Sequence, residues 1–231
     1  MAKRFAAEFL GTFLLMFASV GTVLQDAALG DAGFGLFGIA LGTGVMLALA
    51  VTAMANLSGA HFNPAVSISF VLTGKLPVSQ LPGYLVAQVA GAFLATLVLK
   101  MWFDPAVLAA TGLATCVPAE TLSFGRAVFI EAVLTFILVT IIWGTAVDPR
   151  RLAGIGGAGI GLIVFVNILI AGPLTGAAMN PARVLGPALA SGIWTDHAVY
   201  WVGPLLGAIV AAFTWKLLFG EGDAAGADAA D

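Results

Sequence analysis

The sequence predicts an all-α membrane protein in which six transmembrane helices and two re-entrant half-helices form an inverted repeat. Three observations predict it. Of 231 residues, 61% are hydrophobic and only 9% charged, against roughly 25% charged residues in an ordinary soluble domain. The triplet Asn-Pro-Ala occurs twice inside apolar sequence, as Asn63, Pro64, Ala65 and as Asn180, Pro181, Ala182. An acidic residue precedes each triplet at a nearly equal interval, Glu8 in AEFLGTFLL and Glu131 in IEAVLTFIL.

A helix needs about 20 apolar residues to cross a hydrocarbon core of about 30 Å. Six stretches are long enough: 5–24, 36–57, 81–103, 124–146, 152–171 and 199–219. The first opens with Lys3 and Arg4 in the manner of a signal peptide, but it is long and has no small-residue cleavage site before Gln25. It therefore reads as a retained helix. The polar, turn-rich connection at 104–123 divides a single channel domain, 1–219, into repeats of about 4–103 and 124–219. Each repeat has three spans with its Asn-Pro-Ala after the second. An odd number of spans places the second repeat upside down, an arrangement that sets broken helices at the bilayer midplane.

Both triplets read as helix starts, because asparagine is a favoured N-cap and proline is well placed in the first turn. The helices they open, 63–72 and 180–190, end at Thr73, Gly74, Lys75 and at Ser191, Gly192. Roughly ten residues at 1.5 Å each reach about 15 Å, half a membrane. Two half-helices entering from opposite faces would together make a seventh span, with the positive ends of their dipoles meeting near the centre. Irregular backbone at that depth is tolerated only inside protein or beside a water-filled cavity. The segments 58–62 and 175–179 are therefore expected to line a pore with carbonyl oxygens. Glu8 and Glu131 are expected to support those loops by accepting their freed N–H groups.

Lys3, Arg4, Lys75, Arg150, Arg151 and Lys216 fall on one side if the N-terminus is cytoplasmic, with Lys100 and Arg126 opposite. The positive-inside tendency then puts both termini in the cytoplasm. The acidic stretch at 220–231 has nothing to bury and is expected to be disordered. A net charge of −3 offers no basic surface for nucleic acid, and His61 and His197 are too few for a metal site. Cys116, the sole cysteine, excludes an intramolecular disulfide. No nucleophile, base and orienting group gather in any motif, so neither an enzyme nor a cofactor is expected. The many glycines, such as Gly44, Gly91, Gly161 and Gly207, suit close helix packing in lipid.

SGAHFNPAV and TGAAMNPAR, together with AEFLGTF and YWVGPLLG, resemble the aquaporin, or major intrinsic protein, family over essentially the whole chain before the tail. The resemblance implies a bundle of six helices plus two half-helices, a pore in each protomer and a homotetramer in the bilayer. It also implies that Asn63 and Asn180 donate amide N–H groups to passing oxygens while the half-helix ends and an arginine exclude protons and cations. Arg183 matches the family's constriction arginine, and a basic residue at this depth is functional by default. Thr43, Ile168 and Ala177 fall at the other filter positions, and His61 falls in the inner vestibule. Strict water channels resemble one another in having Phe and His where this chain has Thr43 and Ile168, and the aromatic pair of glycerol channels is also missing.

That filter looks closest to nodulin-like intrinsic proteins and their bacterial relatives, which pass glycerol, urea and metalloid hydroxides such as boric or arsenous acid. Val184 and Ala188 depart from the dedicated glycerol channels, while Tyr200 and Trp201 match the water channels. The expectation is a passive channel for water and small uncharged solutes. The alternatives are a strictly water-selective channel, a secondary transporter, which would need coupling groups beyond Glu8, Glu131 and Arg183, and a junctional role. Short loops and the lack of a targeting segment suggest a prokaryotic plasma membrane.

Overall fold

The computed structural model describes residues 1–220, so the expected disordered tail lies outside the described residues apart from Gly220. Among the described residues six helices are long and apolar enough to span a membrane: α1 (Ala2–Leu29), α2 (Gly35–Ser58), α4 (Leu81–Lys100), α6 (Phe124–Ile142), α7 (Gly156–Thr175) and α9 (Val199–Phe219). Two half-length helices, α3 (Pro64–Leu72) and α8 (Pro181–Ser191), each follow the second long helix of their repeat. The connection at 104–123 is more ordered than its composition suggests. It holds a short helix, α5 (Pro105–Thr111), and a tight 3₁₀ turn, Gly112–Ala114. Pro105 in the first turn after Asp104 was the available start signal.

Helix ends differ from the expected spans for local reasons. The Ala-rich residues after Gln25 carry α1 on to Leu29, where Gly30 turns the chain at φ 55°. At its start α7 is delayed to Gly156 because the chain turns at Gly154, φ 79°. It then runs past Pro173 to Thr175 and stops at Gly176. The last turn of α6 widens into a π-turn, Trp143–Val147.

Within the first repeat α1 packs on α2 and α4, and within the second α6 packs on α7 and α9. The repeats are joined by α2 against α7, and each half-helix crosses over: α3 lies on α9, and α8 on α4. Glycines permit the close approaches. A Cβ on Gly91 would lie 2.3 Å from the Phe9 carbonyl oxygen, one on Gly161 2.3 Å from that of Gly44, and one on Gly207 2.1 Å from that of Ala132. In lipid, where no hydrophobic force drives helices together, such contacts supply the packing. Polarity is distributed accordingly. Leu49, Val86, Phe129, Leu162 and Val210 face outward, whereas Glu8, Thr12, Gln88, Glu131, Thr135 and Asn167 are buried.

Candidate functional site

The site begins where α2 and α7 stop. Gly59 (φ 90°) and Gly176 (φ 81°) reverse the chain, and the loops then hold four non-glycine residues in the left-handed region: Ala60, Phe62, Ala177 and Met179. Such residues are sterically disfavoured and persist only where their surroundings over-determine them. The alternating backbone turns successive N–H groups to one side, forming a concavity suited to an anion. A carboxyl group occupies each concavity. Glu8 accepts from the His61 and Phe62 N–H groups at 3.0 and 2.7 Å, and Glu131 accepts from Ala178 and Met179 at 2.9 and 2.7 Å. The Ser58 hydroxyl adds a bond to Glu8 at 2.6 Å, and the Thr175 hydroxyl one to Glu131 at 2.7 Å. Gln88 donates to Glu8 at 2.8 Å and has no equivalent on Glu131. Behind each loop a tyrosine hydroxyl holds the last helical carbonyl: Tyr84 on Ser58 at 2.5 Å, and Tyr200 on Thr175 at 2.8 Å.

The loops lock to one another at the asparagines. Asn63 Oδ1 caps α3 through the Ala65 N–H at 2.9 Å, and Asn180 Oδ1 caps α8 through Ala182 at 2.9 Å and Arg183 at 3.3 Å. Pro64 and Pro181 occupy the first turns, where no N–H is needed. Each amide then reaches across. Asn63 Nδ2 donates to the Met179 carbonyl and Asn180 Nδ2 to the Phe62 carbonyl, both at 2.8 Å. A side-chain amide has two N–H groups, so each asparagine keeps one, and both residues border the cavity.

That cross-bonding corrects one expectation. The loops do not line the pore along their whole length: Gly59, Ala60, His61, Ala177, Ala178 and Met179 border the cavity, but Ser58, Phe62, Thr175 and Gly176 do not. Ser58 and Thr175 turn to the carboxyl groups, and the Phe62 ring lies against Gly11.

A single cavity of about 520 Å³ runs from Arg183 past both asparagines to Arg151 and Gly154, and its wall includes Thr43, Ile168 and Ala177. The four residues matched to the filter thus border one space. The Thr43 hydroxyl donates to the Ile39 carbonyl at 2.9 Å, which leaves its lone pairs as what it offers a solute. His61 is held in the wall near the other end, its Nδ1 3.1 Å from Ser67 Oγ and its ring 4.5 Å from that of Phe70. His197 does not border the cavity. Its Nε2 accepts from the Trp201 indole at 3.2 Å.

Cys116 has a part in the site that the sequence did not mark. Arg183 Nη1 donates to its sulfur, and a Cβ on Gly176 would lie 2.5 Å from that sulfur. Burial pushes the Cys116 thiol up to about 11, so Arg183 meets a neutral partner rather than an anion. The loop carrying Cys116 is pinned by the Ala119 N–H on the Leu174 carbonyl at 2.8 Å and by Thr115 against Ser191 at 2.9 Å. No local pattern could reveal a contact between residues 67 positions apart.

A family model described as Major intrinsic protein matches residues 1–215. The chain is 42% identical over 222 residues to "Aquaporin TIP4-4" of Zea mays, covering 92% of this chain and 85% of that one. It is 40% identical over 223 residues to "Aquaporin NIP1-1" of the same plant, covering 94% and 74%. Among solved structures it is similar to the aquaglyceroporin from Plasmodium falciparum, with a TM-score of 0.84, 27% identity, and 94% and 96% of the two chains covered.

Proposed function

The chain belongs to the major intrinsic protein family, and from that premise we propose that it is a multi-pass membrane channel passing water and small uncharged solutes, including metalloid hydroxides. It conducts passively and is not an enzyme. The observation that carries the solute reading is the set bordering the outer part of the cavity: Thr43, Ile168, Ala177 and Arg183, with no aromatic ring among them. A wall of this kind admits a wider molecule than one narrowed by two rings. Arg183 donates to a solute oxygen, Thr43 accepts from a solute hydroxyl, and Ile168 and Ala177 supply apolar contact. A neutral polyhydroxy compound such as boric acid suits that mixture of donor, acceptor and apolar wall. Names among the relatives, aquaporin of NIP type and aquaglyceroporin, support the same reading.

Further along, the spare N–H of Asn63 and of Asn180 donates to the oxygen of a passing water. Held by two donors, that water directs its own hydrogens away from the midpoint, so a proton finds no continuous chain of acceptors. Positive ends of α3 and α8 converge there and oppose cations. Glu8 and Glu131 hold the loops in this geometry, both oxygens of each accepting from neighbouring donors.

We place the channel in the plasma membrane as a homotetramer with cytoplasmic termini, on the strength of its charge distribution and the family's architecture. The two aquaporins quoted from Zea mays are plant proteins and lend the prokaryotic expectation no support. The test is light scattering from proteoliposomes after osmotic steps made with an impermeant sugar, glycerol, urea and boric acid. Fast shrinkage followed by protein-dependent reswelling supports the proposal. Shrinkage without reswelling would make the pore water-selective, and saturable flux driven by an ion gradient would make it a transporter.

A further inference from the structure

The two repeats hold their pore loops by different means. Phe62 and Met179 occupy the same place, immediately before the capping asparagine, and each offers its carbonyl to the asparagine of the other repeat at 2.8 Å. Phe62 is anchored by shape. Its ring fills a notch at Gly11, where a Cβ would lie 2.0 Å from the ring. The corresponding place in the second repeat, three residues after Glu131 as Gly11 is after Glu8, is taken by the buried Leu134, whose side chain stands where the first repeat has none.

Met179 is instead held by a hydrogen bond. Asn167 Nδ2 donates to Met179 Sδ and to the Leu134 carbonyl, both at 3.0 Å. Because both neighbours are acceptors, only the NH₂ end of the amide can face them. Asn167 Oδ1 is then left without a partner in a residue that is 1% exposed. A buried, half-satisfied amide is destabilising in itself, and the first repeat has Ala50 at the matching place relative to its asparagine. A thioether side chain has three rotatable bonds and does not fix a backbone unaided. The amide offsets its own cost by supplying that constraint.

We propose that Asn167 is a positioning residue of the pore: by holding Met179 against α6, it fixes the carbonyl that orients the Asn63 amide. Leu134, Asn167 and Met179 act as one anchoring set, equivalent to Gly11, Ala50 and Phe62. This rests on reading the cavity as a conducting pore. The decisive variants are Asn167→Leu, which keeps the size and removes the donor, Met179→Phe alone, and the triple variant Leu134→Gly, Asn167→Ala, Met179→Phe, which transplants the first repeat's set into the second.

Water flux per reconstituted protein is expected to fall by roughly threefold to tenfold in Asn167→Leu, the scale of one neutral hydrogen bond, with proton leak rising relative to water flux. Met179→Phe alone should lose more, and the triple variant should return to within about twofold of the wild type, the non-additivity of residues acting as a unit. Wild-type water and proton permeability in Asn167→Leu would overturn the proposal. So would a triple variant no better than Met179→Phe, whether judged by flux or by failure to give monodisperse protein. Thermal melting in detergent follows the same coupling without any need for conduction. A silent wild type would therefore refute the channel reading, while the melting series still decides the anchoring set.

Discussion

Replacing Glu131 with glutamine exchanges one carboxyl oxygen for an NH₂ group that cannot accept. Oε1 takes the Thr175 hydroxyl at 2.7 Å and the Ala178 N–H at 2.9 Å, while Oε2 takes the Met179 N–H at 2.7 Å. Glutamine does best by keeping its oxygen on the pair and turning its amide toward Met179, where donor meets donor. Leaving a buried N–H unsatisfied costs about 1–3 kcal/mol, and two donors turned toward each other repel. Together these suggest about 2–4 kcal/mol, a factor of about 30 to 700 in the folding equilibrium at 1.4 kcal/mol per tenfold. The melting temperature should drop by about 5–15 °C, taking about 2–4 °C per kcal/mol for a chain of this size. Intrinsic tryptophan fluorescence in detergent gives the melting temperature, and stopped-flow shrinkage of proteoliposomes gives water flux from the same preparation. Thr175→Val, which removes one donor and leaves the carboxylate, should cost less. A Glu131→Gln protein that melts within a degree of the wild type would refute the loop-support role. So would solute uptake that a pH gradient drives in the wild type and that this substitution abolishes.

Thr43→Phe combined with Ile168→His should suppress boric acid and urea flux while keeping most water flux; equal loss of both in the reswelling assay would refute the filter assignment. Gly207→Val places a side chain where a Cβ already lies 2.1 Å from the Ala132 carbonyl oxygen, and overpacking of this kind costs about 1–3 kcal/mol. Its melting temperature should fall, whereas Gly74→Val, in open space although itself strained at φ 77°, should move it less. The Arg150 guanidinium beside Asp148 holds that carboxyl well below its ordinary value of 3.8. A depressed carboxyl contributes stability that is full above the unfolded value and lost as pH falls through the folded one. The melting difference between wild type and Asp148→Asn should therefore be constant from about pH 7 to 5 and shrink below about pH 4; a difference that grows on acidification would refute the pairing.

The helical spans were legible because apolar length is counted directly against bilayer thickness, and the half-helices because Asn and Pro each have a position-specific meaning at a helix start. Glu8 and Glu131 could be paired because each stands in a similar apolar phrase. What the sequence left hidden depends on contacts between distant elements. Phe62 reads as one more apolar residue until Gly11 is seen beneath it, and Asn167 as an oddity in a membrane helix until Met179 and Leu134 are seen around it. Cys116 looked like an ordinary loop thiol because its loop, pinned at Leu174 and Ser191, folds back onto Arg183. The extent of pore lining was misjudged for a related reason: irregular backbone must satisfy its polar groups somewhere, and here part of that demand is met by buried carboxyl groups and by the opposite loop.

The crossing of the half-helices also bears on how the molecule is made. Helix α3 is among the first third of the chain to be synthesised, yet it rests on α9, the last helix among the described residues, and Asn63 waits for a carbonyl 116 residues further on. The amide has no acceptor until Met179 is made, and α3 lacks its main support until α9 has entered the bilayer. A chain cut before Val199 would therefore keep its first five spans and both re-entrant loops, while α3 and α6 lose the helix against which each packs.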